Sequence, residues 1–264
     1  HTVSTSSRLT RAPQPPPVSL ELVLTVCEET SLRGAKAFDV GRLHSRFGYV
    51  FDHASPIGEI VLASPTHYGI SADVRGRAAH AGIRPEDGRS AIAAAARGIA
   101  AMRLGRLDAE TTANIGTIAG GTAGNVVPQG CRVSGEARGL DAERAEAAIT
   151  HMVDQLQEAA DSGECDLDVQ VQRLFEGYRT RPSEPQIALA ESALRACSYE
   201  PRHIATGGGS DANAFLVNGM PCTNLANGTE RNHQPDERVS ADALEGMLEV
   251  AIALVQEAPG VLDA

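Results

Sequence analysis

The sequence predicts an α/β chain interrupted by an inserted ferredoxin-like βαββαβ block. Three observations carry that prediction. Val18–Val26 is a near-continuous apolar run, the pattern of a strand buried on both faces of a parallel sheet. Residues 67–179 read strand, helix, strand, strand, helix, strand, which is the split βαβ order. From Ser183 onward helical and strand patterns alternate again, so the block divides a surrounding α/β domain made of residues 1–66 and 180–264.

Residues 1–17 are rich in Ser, Thr, Arg and Pro and cannot nucleate a core. After Val18–Val26, Ser31–Asp39 reads as a short helix, and Gly48–Phe51 and Glu59–Ala63 as short strands. In the inserted block Tyr68–Gly76 alternates like a half-buried strand, and Gly88–Gly105 is an Ala-dense helix. Thr112–Ile118 and Cys131–Arg138 are strands, separated by the glycine-rich turn Gly120–Gly124. Asp141–Ser162 is an amphipathic helix with Asp141 as N-cap, followed by strand Leu167–Arg173. Then come helix Glu184–Cys197, loop Thr206–Ser210, a strand near Pro221–Leu225 and helix Ala241–Glu257. The last helix is expected to bury Leu244, Met247, Leu248, Ala251, Leu254 and Val255.

Composition narrows the function classes. A net charge of −11 argues against nucleic acid or an anionic membrane as partner. The five cysteines are odd in number and contain no C-x-x-C, a reducing-compartment pattern that offers no thiolate zinc site. The apolar stretches fall short of a membrane span, and no charged-then-apolar leader opens the sequence. The expectation is a soluble, cytoplasmic protein.

The candidate chemistry begins with Glu28 and Glu29, where the apolar run ends. Most Glu-Glu pairs are solvated helix faces. Beyond the carboxyl end of a strand, however, two adjacent acids repel each other unless a cation is present. Asp52 also stands at a strand end, where it is a turn former or a further acid of the same set. His233, in Asn232–His233–Gln234–Pro235–Asp236–Glu237, is a solvated loop residue by itself; with the carboxylates it makes an N/O donor set suited to a divalent ion. His80, Asn125 and Arg138 read respectively as a surface histidine, a left-handed turn residue and a strand-surface charge. Arg138 could equally bind a carboxylate. The loop around Gly208 is a plain turn or an anion cradle.

Taken in order, the segments LVLTVCEETSLRGAKAF, GYVFD, VRGRAAHAGIRPEDGRSAI, NIGTIAGGTAGNVVP, GEARGLD, GGGSDANAF and HQPDE resemble one family. It is the dinuclear-zinc metallopeptidase family of peptidase T, glutamate carboxypeptidase, aminoacylase and succinyl-diaminopimelate desuccinylase. CEETSLRGAK is most similar to the peptidase-T-like branch. The resemblance runs from Val18 to Glu257 and implies a catalytic α/β domain carrying an inserted lid that dimerises. It implies two divalent cations, Zn²⁺ or in its place Co²⁺ or Mn²⁺, and a small peptide as substrate. Glu28 would be the general base, Glu29 and His233 ligands of the first metal, and Asp52 a ligand of the second. His80 would stabilise the oxyanion, while Asn125, Arg138 and Gly208 would position the substrate.

The family's H-x-D motif and its bridging Asp, both upstream of the Glu-Glu pair, are absent, and His1 is not assigned as a ligand. The first part of the catalytic domain is therefore expected to be missing. The leading expectation is a tripeptide-aminopeptidase-like hydrolase. The alternatives are a carboxypeptidase or N-acyl-amino-acid deacylase of the same family, or a truncated, inactive homologue acting as a dimer or binding module.

Overall fold

The computed structural model describes residues 15–262; His1 and the Ser/Thr/Arg-rich stretch up to residue 14 lie outside them. The chain divides at Ser64 and Tyr178. Everything before and after those points forms one unit, and Pro65–Gly177 forms the other.

In the first unit, helix α1 (Arg33–Ala37) leads into strands β1 (Gly48–His53) and β2 (Glu59–Ser64). Val18–Val26 precedes them and is not a strand. It is extended but has no ladder partner among the described residues, and Leu20, Leu22, Leu24 and Val26 are exposed. Its alternate side is tethered by polar bonds instead. Glu21 accepts from the backbone N–H groups of His44 and Ser45 and from Ser45 Oγ, and these bonds hold its carboxyl at about 2. The segment ends in a tight reversal, with Cys27, Ser31 and Leu32 all at positive φ. A Cβ on Gly34 would stand 2.1 Å from Val26 O, so only glycine lets α1 approach the backbone that closely.

The inserted unit contains β3 (Thr66–Arg75), α2 (Ala91–Ala101), short β4 (Gly105–Arg106), β5 (Thr111–Gly120), β6 (Gly130–Gly139), α3 (Ala142–Ser162) and β7 (Asp166–Phe175). The sheet order is β4-β5-β6-β3-β7, with every pairing antiparallel, as the βαββαβ pattern requires. Alternation sets the buried face: Ile70, Ala72 and Val74 of β3 face Ala94 and Ala95 of α2 and Met152 and Leu156 of α3. Both helices are capped by their sequences. Ser90 Oγ accepts from Ala93 N, and Asp141 accepts from the Glu143 and Arg144 N–H groups.

The chain then returns to the first unit through β8 (Tyr178–Arg179), α4 (Pro185–Ala196), β9 (Arg202–Ala205), α5 (Asp211–Val217), β10 (Cys222–Ala226), α6 (Ala241–Glu257) and α7 (Pro259–Leu262). In its sheet β1 pairs parallel with β10, β10 antiparallel with β2, and β2 takes both β8 and β9 on its other edge. Ile187, Ala190 and Leu194 of α4 pack with Val250, Ala253 and Leu254 of α6 over Ile60 and Leu225. The buried stripe of α6 thus runs through Gly246, Met247, Val250, Ala253, Leu254 and Val255. Leu244, Leu248 and Ala251, expected on that face, are only half-buried. A fully apolar helix flank fixes its buried side by what packs on it, here α4, and not by its own periodicity.

Candidate functional site

The first unit brings Glu28, Glu29, Asp52 and His233 into one electrostatic neighbourhood. Glu28 and Glu29 lie in a turn closed by Leu32 N donating to Glu28 O at 2.8 Å, not at a strand end as the sequence led us to expect. Burial pushes the Glu28 carboxyl up to about 7, and the charges of Asp52, Glu29 and Asp211 add to the rise. Asp52 lies in β1 itself, which runs on through His53, and its N–H donates to Asn224 Oδ1 of β10 at 3.0 Å. Its residue surface meets solvent, yet desolvation and then repulsion from Asp211 and Glu29 lift it to about 6, partly offset by His233.

His233 stands on a loop pinned by the Glu230–Arg238 bridge, at φ 61, with its N–H donating to Glu237 Oε2 at 2.7 Å. Its Nδ1 is 3.9 Å from Glu29 Oε2, and both side chains are largely exposed. Donor types and surplus negative charge both suit a divalent cation. The side chains stand open, however: among the described residues no three His, Cys, Asp or Glu groups are close enough to hold an ion as they are.

Sequence reasoning missed Asp211. It opens α5 and is 6% exposed; Thr25 Oγ1 donates to its Oδ2, and its Oδ1 is buried without a protein partner. Burial raises its carboxyl, with only Thr25 opposing. The local signal is the Ser210–Asp211 pair that follows three glycines, a pattern shared with ordinary helix starts.

Gly208 is placed differently from an anion cradle. Its N–H donates to Thr206 Oγ1 at 3.1 Å, and its carbonyl accepts from Ser64 Oγ at 2.8 Å. Asn213 completes this knot, its Nδ2 donating to Ser64 Oγ at 3.0 Å and its Oδ1 accepting from Ser210 N at 3.1 Å.

The inserted unit brings its own candidates together in two places. β3 stops at Arg75, so His80 lies in the following loop. There it bridges Val126, and Ala81 N donates to Asn125 O at 3.0 Å, which places exposed His80 and exposed Asn125 side by side. Arg138 sits apart from them in sequence, on β6, held by Glu136 through two bonds of 3.0 Å. Buried His67 approaches the same carboxylate at 2.9 Å and packs edge-on against Phe175.

Residues 66–164 match the model of the peptidase dimerisation domain. The chain is 36% identical to Bacillus subtilis YqjE over 240 residues, covering 91% of this chain and 65% of that protein. It superposes on the aminopeptidase PepT from Bacillus cereus with a TM-score of 0.81 at 39% identity, covering 89% of this chain and 63% of that one. These matches support the peptidase T-like M20 family. A tripeptidase from Staphylococcus aureus is a further structural neighbour, with a TM-score of 0.84 at 34% identity, covering 88% of this chain and 62% of that one. The chain therefore spans less than two thirds of the length of these relatives. No described helix is long and apolar enough to cross a membrane.

Proposed function

We propose that this M20 chain belongs to a metal-dependent peptidase that hydrolyses amide bonds in small peptides, in the manner of a tripeptide aminopeptidase. The observation that carries this reading is the convergence of Glu28, Glu29, Asp52 and His233 in one unit, with Glu28 held near neutrality by burial and like charge. A general base works best with a pKa near the operating pH, which supports Glu28 in that role. Glu29, Asp52 and His233 would hold the cations, Zn²⁺ by donor type with Co²⁺ or Mn²⁺ as substitutes. Bound divalent ions supply Lewis acidity to the scissile carbonyl and to the attacking water. Glu28 takes the water's proton and returns it to the leaving amine. His80 and Asn125 would face the developing oxyanion and the substrate backbone, and Arg138 its carboxylate. Gly208 would line the substrate site through its position in the Ser64–Asn213 knot and not through a free N–H.

The protein would act as a homodimer through residues 65–177, given the dimerisation-domain match over 66–164. The carboxypeptidase and deacylase alternatives share this machinery and are separated by a panel of free tripeptides against N-acylated amino acids. From a different class, the alternative is a non-catalytic dimer or binding module.

Metal titration of the purified protein decides between enzyme and module. Uptake of two divalent ions per chain is the expected result, and no uptake would leave the module. In the intact protein, Glu28→Ala is expected to abolish turnover of a tripeptide while cation content stays near normal; full activity would remove Glu28 as the base.

A further inference from the structure

We propose that Glu136, braced by His67, is a positioning residue that presents Arg138 in one fixed orientation to the carboxyl terminus of a peptide substrate. The inference rests on the function proposed above and deepens it: the substrate class would be peptides with a free carboxyl end.

Strand register assembles the group. Arg138 lies directly across from His67 in the β3–β6 ladder, and Glu136 lies two residues before Arg138 on the same strand. Residues two apart on a strand share a face, and Ala137 between them is buried in the helix-covered core. Glu136 and Arg138 therefore project from the opposite face of the sheet. There Arg138 Nε donates to Glu136 Oε1 and Nη2 to Oε2, each at 3.0 Å. Two parallel bonds fix the guanidinium plane as one bond cannot.

Glu136 is braced in turn. His67 Nε2 stands 2.9 Å from the oxygen that holds Nη2, and this buried nitrogen has no better acceptor among the described residues. The imidazole is 7% exposed and is itself wedged by buried Phe175, opposite it on β7, with 5.1 Å between ring centroids. A rigid chain thus runs from the Phe175 ring through His67 and Glu136 to Arg138, whose own side chain is 28% exposed. The same face carries Arg132–Asp73 and Arg75–Asp168, but these arginines are 66% and 64% exposed, as ordinary surface pairs are. Because Glu136 offsets the charge of Arg138, selectivity would come from direction and not from long-range attraction.

The test is steady-state kinetics of the intact protein on a tripeptide and on the same tripeptide as its carboxyl-terminal amide, with melting temperatures recorded for every variant. Arg138→Ala should erase the preference for the free acid. Glu136→Gln keeps the size of the side chain but cannot accept both bonds. Its KM for the free tripeptide should rise about 2- to 10-fold, the cost of ordering one long side chain on binding. Its KM for the amide and both kcat values should stay unchanged. His67→Leu should reproduce part of the rise, and His67→Gln, which restores a donor to Glu136, should recover it. A loss of kcat on both substrates that tracks a lower melting temperature would make the cluster structural and overturn the proposal. So would an unchanged or strengthened preference for the free acid in Glu136→Gln, since the clasp would then be idle or holding Arg138 back. A wild type that hydrolyses both peptides equally overturns the carboxylate role of Arg138 and the proposal with it. One that hydrolyses neither overturns the peptidase reading itself.

Discussion

Glu136 accepts from Arg138 through both carboxylate oxygens and lies 2.9 Å from His67 Nε2; His67 first and Arg138 second hold its carboxyl at about 2, against 4.5 when unperturbed. A folded pKa below the unfolded one contributes stability that is present above 4.5 and lost as pH falls towards 2. We expect Glu136→Gln to lower stability near pH 7 by about 1 kcal/mol, discounted because the carboxylate is partly solvated. It should also flatten the acid loss between pH 4.5 and 2, as read from urea midpoints across that range. Parallel acid profiles for the two proteins would refute the assignment. At the catalytic level, His80→Ala should impair turnover of the intact protein without unfolding it, and unchanged turnover would take His80 out of the site. Among single residues, legibility followed chain locality. Glu28, Glu29, Asp52 and His233 stand in short distinctive segments and could be named from the sequence. Asp211 and the His67–Glu136–Arg138 cluster depend on groups brought together only by folding, Thr25 with Asp211 and β3 with β6, and no spacing encodes them.

Elements were legible where polarity alternated. Strands β3 and β6 and helix α3 appear close to the positions their periodicity implies, because one face of each is core and the other is solvent. Val18–Val26 misled for the opposite reason: a run that is apolar at nearly every position specifies burial but not a partner, and here Glu21 and the Cys27 reversal determine its course. Helix α5 and strand β9 were not anticipated, since both are short and draw their definition from β2 and the Ser64 knot. A glycine shows how tightly the inserted sheet is specified. Opposite the bulge between Ile115 and Thr117, a Cβ on Gly135 would stand 2.4 Å from Asn114 O and 2.8 Å from Ile115 Cδ1. Gly135→Ala is therefore expected to destabilise the inserted unit by about 1–3 kcal/mol through overpacking. A thermal melt coinciding with wild type would show that the strand can shift to absorb the methyl group.

At the scale of the whole molecule, the two apolar clusters do not share residues across the division at Ser64 and Tyr178. Ile70 to Leu167 and Val169 supply one, and Ile60, Leu225 and the α4–α6 pair supply the other. The inserted unit also closes its own ladder, with β5, β6, β3 and β7 adjacent in a single antiparallel sheet covered by two capped helices. A unit that buries its own core and satisfies its own strand pairings needs nothing from its host to fold. Residues 65–177 expressed alone are accordingly expected to unfold in one cooperative urea transition, with probes of helix and of buried side chains coinciding. Leu156→Ala, which empties a fully buried position where α3 meets the sheet, should move that transition by about 2–5 kcal/mol. Sedimentation of the same fragment tests the proposed homodimer, since a dimer formed through this unit survives removal of the host whereas one formed elsewhere does not. A broad, probe-dependent transition would mean that the inserted sheet borrows stability from the surrounding unit, and the division seen in the structure would then be one of shape and not of folding.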